Sequence, residues 1–284
     1  MIIGVTLVIF ILMNVLPGDP ARLILQKGAT EQALENIRIK MGLDKPLHIQ
    51  YWRYVKQLTK GDLGTSYRNR RPVSEILSDH YLNSIRLAIA AIIIEIIIGI
   101  FTGIISAIKK YTFWDTLIVI STTLAVCVPV FWIGMMFQVT FGLNLGLLPI
   151  SGMGDGSIRY YILPSITLAS VSTAYIARMT RSSMLEAMSN DYITAAYAKG
   201  LSRFKVIGKH ALKNALIPIV TLIGLDLGTL MGGAVLTETV FNWPGIGRVI
   251  YLAILQRDTP VVMGGTLILV IIFILINLIV DIVY

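Results

Sequence analysis

Long apolar runs set the terms for this chain. Leu87–Ile108, Trp114–Phe141, Ile217–Leu236 and Val261–Val283 each match or exceed the ~20 residues a helix needs to cross a hydrocarbon layer. No water is available there, so backbone polar groups must be satisfied inside the segment, and runs of this kind fold as helices. Two shorter runs, Met1–Leu16 and Tyr161–Ala177, bring the expected spans to about six. Composition agrees. Charged residues make up 14% of the 284, against about 25% in soluble domains, and 55% are hydrophobic. The fold class expected is an all-α integral membrane protein. The single cysteine, Cys127, excludes an intrachain disulfide, and His48, His80 and His210 have no metal-ligand spacing.

The chain divides into 1–16, the first helix, 17–83, a helical polar segment, and 84–177, helices two to four. A polar island at 178–216 and helices five and six at 217–284 complete it. The first run lacks a basic start, so it reads as a membrane helix, short for a span and stopped by Pro17-Gly18-Asp19-Pro20. In the polar segment, Leu34, Ile37 and Met41 mark one amphipathic helix ended by Gly42. Ile49, Trp52, Val55 and Leu58 mark another, ended by Gly61. Gly61-Asp62-Leu63-Gly64-Thr65-Ser66 reads as a turn, Asn69-Arg70-Arg71-Pro72 as a solvated loop or, alternatively, a basic binding patch, and 241–260 as a loop with a tight turn at Trp243–Arg248. In the fifth span, Gly228 and Gly232 form a small-xxx-small spacing.

Basic residues set the orientation. The island carries Arg178, Arg181, Lys199, Arg203, Lys205, Lys209 and Lys213, and the loop after the second span carries Lys109 and Lys110. The opposite short loops hold only Arg159, Arg248 and Arg257. The island and both termini are therefore expected in the cytoplasm, and 17–83, too long for the rule to count, outside. A net charge of +8 reports this topology and contact with anionic lipid, not nucleic acid.

Within the island, Asn190 or Asp191 can cap a short helix that Gly200 ends in the left-handed conformation, with Leu201 as its apolar contact and Ser202 capping the next. Tyr192, Ala195, Ala196 and Lys199 fall on one face at i, i+3, i+4, i+7. That flat face suits a docking knob; the plainer alternative is a solvated loop helix. Glu95 and Asp226 are the carboxylates read inside spans, either pathway groups or structural groups with polar neighbours. No nucleotide-binding loop, HExxH or GxSxG is present, so no catalytic residue, metal site or cofactor is assigned to this chain.

Four stretches resemble the membrane-spanning permease subunits of binding-protein-dependent ABC importers, in the dipeptide, oligopeptide and nickel branch. They are Leu16–Pro20, then Gly61-Asp62-Leu63-Gly64-x-Ser66 with Pro72-Val73, then Asp191–Leu201 with His210–Pro218, and Glu238-x-x-Phe241-x-Trp243-Pro244-Gly245-Ile246-Gly247. Thr194 stands where the general importer loop has Glu, and Pro218 arrives late, departures shared by the peptide branch. Both ends are shorter than the resemblance leads one to expect.

The resemblance implies a second, similar permease, two ATPase subunits that hold ATP and magnesium, and an extracytoplasmic binding protein. The setting it implies is a bacterial or archaeal cytoplasmic membrane. Asp191, Tyr192, Ala195, Ala196, Lys199, Gly200, Leu201 and Arg203 would couple to an ATPase. Glu95 and Asp226 would border the pathway, and Trp243, Pro244, Gly245 and Arg248 would contact the binding protein. The cargo implied is peptides, with nickel or a metal chelate as the alternative; a self-contained secondary transporter is the reading outside the family.

Overall fold

The computed structural model describes residues 2–15 and 30–283. The Leu16–Pro20 stretch lies outside them. The described chain is helical, with no strand and one isolated bridge, between Thr65 and Pro72. In order the helices are α1 (Ile2–Val15), α2 (Glu31–Met41), α3 (Leu47–Leu58), α4 (Val73–Ile108), α5 (Phe113–Cys127) and α6 (Val130–Phe137). They continue as α7 (Ile158–Met188), α8 (Asp191–Ala198), α9 (Arg203–Lys205), α10 (Leu212–Val240), α11 (Ile246–Gln256) and α12 (Thr259–Val283). Wider π turns extend α6 over Gln138–Asn144 and join α9 to α10 over Val206–Ala211.

Among the described residues, three helical runs are long and apolar enough to cross a membrane: Val73–Ile108, Arg203–Gly228 and Thr259–Val280. A fourth arises if α5 and Val130–Asn144 count together. The other two predicted spans correspond to α1, 14 residues, and α7, 31 residues. The sequence reading differs from the structure at three places. Trp114–Phe141 is not one straight helix, because the chain bends by 108° at its middle. Pro129 has no N–H to give, and Val128 before it is held extended at φ −96°, ψ 132°. The fourth helix runs on to Met188, taking in the start of the island. The expected 241–260 loop holds α11, whose buried Ile246, Ile250 and Ala253 recur at helical spacing.

The chain forms two compact units. The first comprises Met1–Ser84 and Pro244–Ile272. Its core joins Val73, Ile76 and Leu77 of α4 to Ile246 and Ile250 of α11 and Val261 and Val262 of α12. Ser84 Oγ accepts from Ile246 N at 2.9 Å and so satisfies a free donor at the start of α11. Asp258, 3% exposed, fixes the loop before α4: Ser66 Oγ donates to it, as does Tyr67 N at 3.0 Å. Asp62 caps the same loop by accepting from Gly64 N at 2.8 Å. The Gly-Asp-Leu-Gly-x-Ser stretch is thus a closed turn held by a buried carboxylate.

The second unit comprises Ile85–Trp243 and Phe273–Tyr284 and is built around α7. Helix α4 reaches α7 through two glycines four residues apart. A Cβ on Gly99 would lie 2.7 Å from Ile176 Cγ2, and one on Gly103 would lie 2.6 Å from the Ala177 carbonyl oxygen. This is the small-xxx-small approach, at a place the sequence reading passed over. Gly224 and Gly228 of α10 do the same against α12, where an added Cβ would lie 2.7 Å from Val280 Cγ1 and 2.7 Å from Phe273 Cδ2. Gly232, the expected second member, lies outside the described side chains.

Gly103→Val is expected to force α4 off α7. Overpacking costs ~1–3 kcal/mol, and more where the obstacle is backbone. A thermal melt in detergent should show a lower midpoint and less folded protein. Gly4→Val, where nothing lies within 4 Å of the added atom, should melt as the parent does.

Candidate functional site

The island folds into a short helix closed at its C-terminal end, while the expected cap at its start makes no hydrogen bond to the helix, the Asn190 side chain donating instead to Glu186 O at 3.0 Å. Asn190 stands at the N-cap position of α8 with extended dihedrals, φ −79° and ψ 150°. At the other end Gly200 adopts φ +79°, and two reverse hydrogen bonds form. Gly200 N donates to Tyr197 O at 2.9 Å, and Leu201 N donates to Ala196 O at 3.3 Å. This is the paired C-terminal closure that a left-handed residue permits, with Leu201 as the apolar residue that follows. Nothing lies within 4 Å of a Cβ built on Gly200, so glycine is needed there for its backbone angle and not for space. Ser202 (φ −65°, ψ 149°) then starts α9.

The face that α8 presents differs from the one read off the spacing. Ile193 and Ala196 are turned inward, 4% and 6% exposed. They pack with Ala107 at the end of α4, Met184 and Ala187 at the end of α7, and Val206, Ala211 and Ala215 leading into α10. Ala196 therefore serves the internal joint, because a small side chain lets the helix sit close. Asp191, Ala195 and Lys199 are on the exposed surface with Tyr192 and Tyr197, the tyrosines about half exposed. Arg203 and Lys205 are exposed around Phe204, which is 88% exposed.

Beside this joint sits an ion pair that the sequence reading missed. Asp115, 4% exposed at the start of α5, takes two bonds from Arg181 of α7: Nε to Oδ1 at 2.8 Å and Nη2 to Oδ2 at 2.9 Å. Ser106 Oγ of α4 donates to Oδ1, and Tyr111 N donates to Oδ2 at 2.9 Å. The carboxylate is thus filled by four donors, from α4, from α7 and from the turn between α4 and α5. Arg181 had been read only as an orientation charge. The available signal was an acid in the first turn of an apolar run, where a helix N-terminus favours it.

The two carboxylates singled out inside spans meet each other. Glu95 of α4 is 0% exposed, and neither of its oxygens receives an N–H or O–H donor. Asp226 of α10 lies within interaction reach of it. Each is the neighbour that the sequence did not make obvious for the other.

The predicted outer contacts are largely internal. Trp243 is 0% exposed, edge-on to Tyr161 with ring centroids 4.7 Å apart, among Leu87, Ala91, Leu168, Leu230 and Ala234. A large indole is worth most when it is buried, and here it packs across three helices. Gly245 is buried as well, while Pro244 and Arg248 are partly exposed. In the first unit, burial pushes the Tyr54 and Tyr67 phenols up to about 12, with Asp258 adding to the effect at Tyr67, so both stay neutral.

Comparison with known proteins agrees with this architecture. Residues 99–284 match the family described as binding-protein-dependent transport system inner membrane component. Residues 1–88 match the N-terminal region of such membrane components. The chain is 44% identical over 309 aligned positions to a dipeptide transport system permease protein of Alkalihalophilus pseudofirmus, covering 100% of this chain and 93% of that one. It is 41% identical to a glutathione transport system permease protein of Salmonella typhimurium, covering 99% and 91%. Among solved structures, a chain of the inward-facing MetNI methionine ABC transporter superposes with a TM-score of 0.61 at 18% identity, covering 73% of this chain and 94% of that one. That likeness concerns the fold alone.

Gly200→Ala should cost about 1 kcal/mol through its backbone angle, and Gly200→Pro more, because it also removes the N–H bonded to Tyr197. Protease accessibility across 198–206 is the measurement, and the order expected is parent, then Ala, then Pro. Asp115→Ala strands the Arg181 guanidinium and should destabilise by ~3–5 kcal/mol. Its thermal midpoint should fall well below that of Asp155→Ala, an exposed acid.

Proposed function

The chain belongs to the binding-protein-dependent transport system inner membrane component family, and from that premise we propose that it is one permease subunit of an ATP-driven peptide importer. It spans the membrane several times, and it works in a system that also includes an ATPase and a binding protein. A similar permease completes the pathway, two ATPase chains hold ATP and magnesium, and both termini lie in a bacterial or archaeal cytoplasm. The peptide assignment follows the dipeptide and glutathione permeases that the chain resembles along its whole length.

The observation that carries the mechanism is the joint beneath α8. Ile193 and Ala196 pack on residues from the ends of α4 and α7 and the start of α10. Protein interiors are close-packed and transmit displacement, so α8 moves as one body with those helix ends. An ATPase that closes on ATP would grip the outer face, Asp191, Tyr192, Ala195 and Lys199, and displace the helix ends together. Lys199, Arg203 and Lys205 would guide the approach of an acidic groove. Gly200 and Leu201 contribute by closing the knob. Pro244 and Arg248, the partly exposed members of their set, remain the residues proposed for binding-protein contact. Glu95 and Asp226 are proposed to border the pathway.

Gentle extraction from native membranes followed by mass spectrometry of the intact complex tests the assembly. Recovery of a second permease and two ATPase chains is expected. A chain that runs alone or only with copies of itself would overturn the assignment.

A further inference from the structure

The first unit carries an open-sided cavity of about 560 Å³. Its floor is apolar and built from the end of α1 and the start of α12, with Phe10, Met13 and Met263 among the lining. Its wall is basic. Arg53 of α3 and Arg70 of the Asp258-held turn both line it, and no carboxylate does among the described residues. Neither arginine takes part in an ion pair among the described residues. The Tyr54 hydroxyl, also in the lining, is buried and has no hydrogen-bond partner. Cavities with unpaired cations and an idle donor over an apolar floor take anions that carry a hydrocarbon part.

A separate feature indicates which anion. Helix α3 buries none of its residues, and it exposes Ile49 by 44% and Trp52 by 70% on one face. An amphipathic helix with an exposed tryptophan and basic neighbours is the form that lies at the headgroup level of a bilayer. The cavity floor is made where the apolar helix α1 ends and the apolar helix α12 begins, and the ends of membrane helices are where headgroups are met.

The geometry points to a site for an anionic phospholipid, with its phosphate against Arg53, Arg70 and the Tyr54 hydroxyl and its acyl chain leaving along Phe10, Met13 and Met263. The lipid would hold α3 and the 64–72 turn against the membrane helices of this unit. The inference needs a membrane-embedded chain and draws nothing from the peptide assignment.

The test uses the intact transporter in nanodiscs of phosphatidylcholine, alone or with phosphatidylglycerol. Retained lipid is counted by native mass spectrometry, and the melting midpoint is recorded. Wild type should retain phosphatidylglycerol and melt higher in its presence. Arg53→Ala or Arg70→Ala should each weaken retention about fivefold, the worth of one basic residue near an anionic surface. Arg53→Lys should keep most of it, and Arg68→Ala, outside the cavity, should behave as wild type. Retention is read on folded complexes, so loss of stability in a variant does not obscure the answer. Equal behaviour in phosphatidylcholine alone, or unchanged retention in the double alanine variant, would overturn the site. An equal rise in midpoint from glycerol phosphate or from a dipeptide in phosphatidylcholine discs would also overturn it, placing a free phosphate or a peptide carboxylate there instead.

Discussion

The coupling proposed for this chain rests on how two buried apolar side chains seat a short helix. Ile193 and Ala196 fix α8 onto the ends of α4 and α7 and the start of α10. Isolated helices of fewer than about 12 residues are marginal in water, so α8, eight residues long, depends on this seat and on its closure at Gly200. The seat is in turn framed by the Asp115–Arg181 pair, which ties α5 to α7 and draws in Ser106 of α4. An importer subunit needs such a connection, because a knob on a soft tether would dissipate the ATPase stroke.

Within the membrane helices the economy is one of close approach. Lipid offers no hydrophobic drive for helix pairing, so contact depends on van der Waals fit and a few polar groups. Gly99 and Gly103 bring α4 to the backbone of α7, and Gly224 and Gly228 bring α10 to Val280 and Phe273. Glu95 of α4 and Asp226 of α10 add two carboxyl groups within interaction reach of each other. The bend at Pro129 turns one long, mostly apolar run into two helices.

Much of this was legible in the residues. Hydropathy gave the helical membrane class, Gly200 and Leu201 gave the end of α8, and Gly42 gave the end of α2, where it adopts φ +71°. Other features were not legible, for identifiable reasons. Spacing on an eight-residue helix does not say which of two opposed faces turns inward, so Ala196 was placed outside. Trp243 sits in a motif flanked by turn residues, and nothing local reveals that it packs against Tyr161. Asp115 with Arg181 and Ser66 with Asp258 are contacts between residues far apart in the chain. Each acid looks like an ordinary helix-start or loop acid until its partner is brought to it. The hidden α11 was masked by its Gly-x-Gly beginning, which reads as turn.

In the proposed mechanism the outer face of α8 meets an ATPase while its inner face stays packed on its own helices. The most direct measurement places single cysteines at Ala195 and Ala196 in a Cys127→Ser background and cross-links the assembled transporter with a short bifunctional reagent. The account predicts that Ala195→Cys joins an ATPase chain, more strongly when ATP is bound without hydrolysis, and that Ala196→Cys does not. Cross-links of equal strength from both positions, or none from Ala195→Cys in a complex that retains its ATPases, would contradict it.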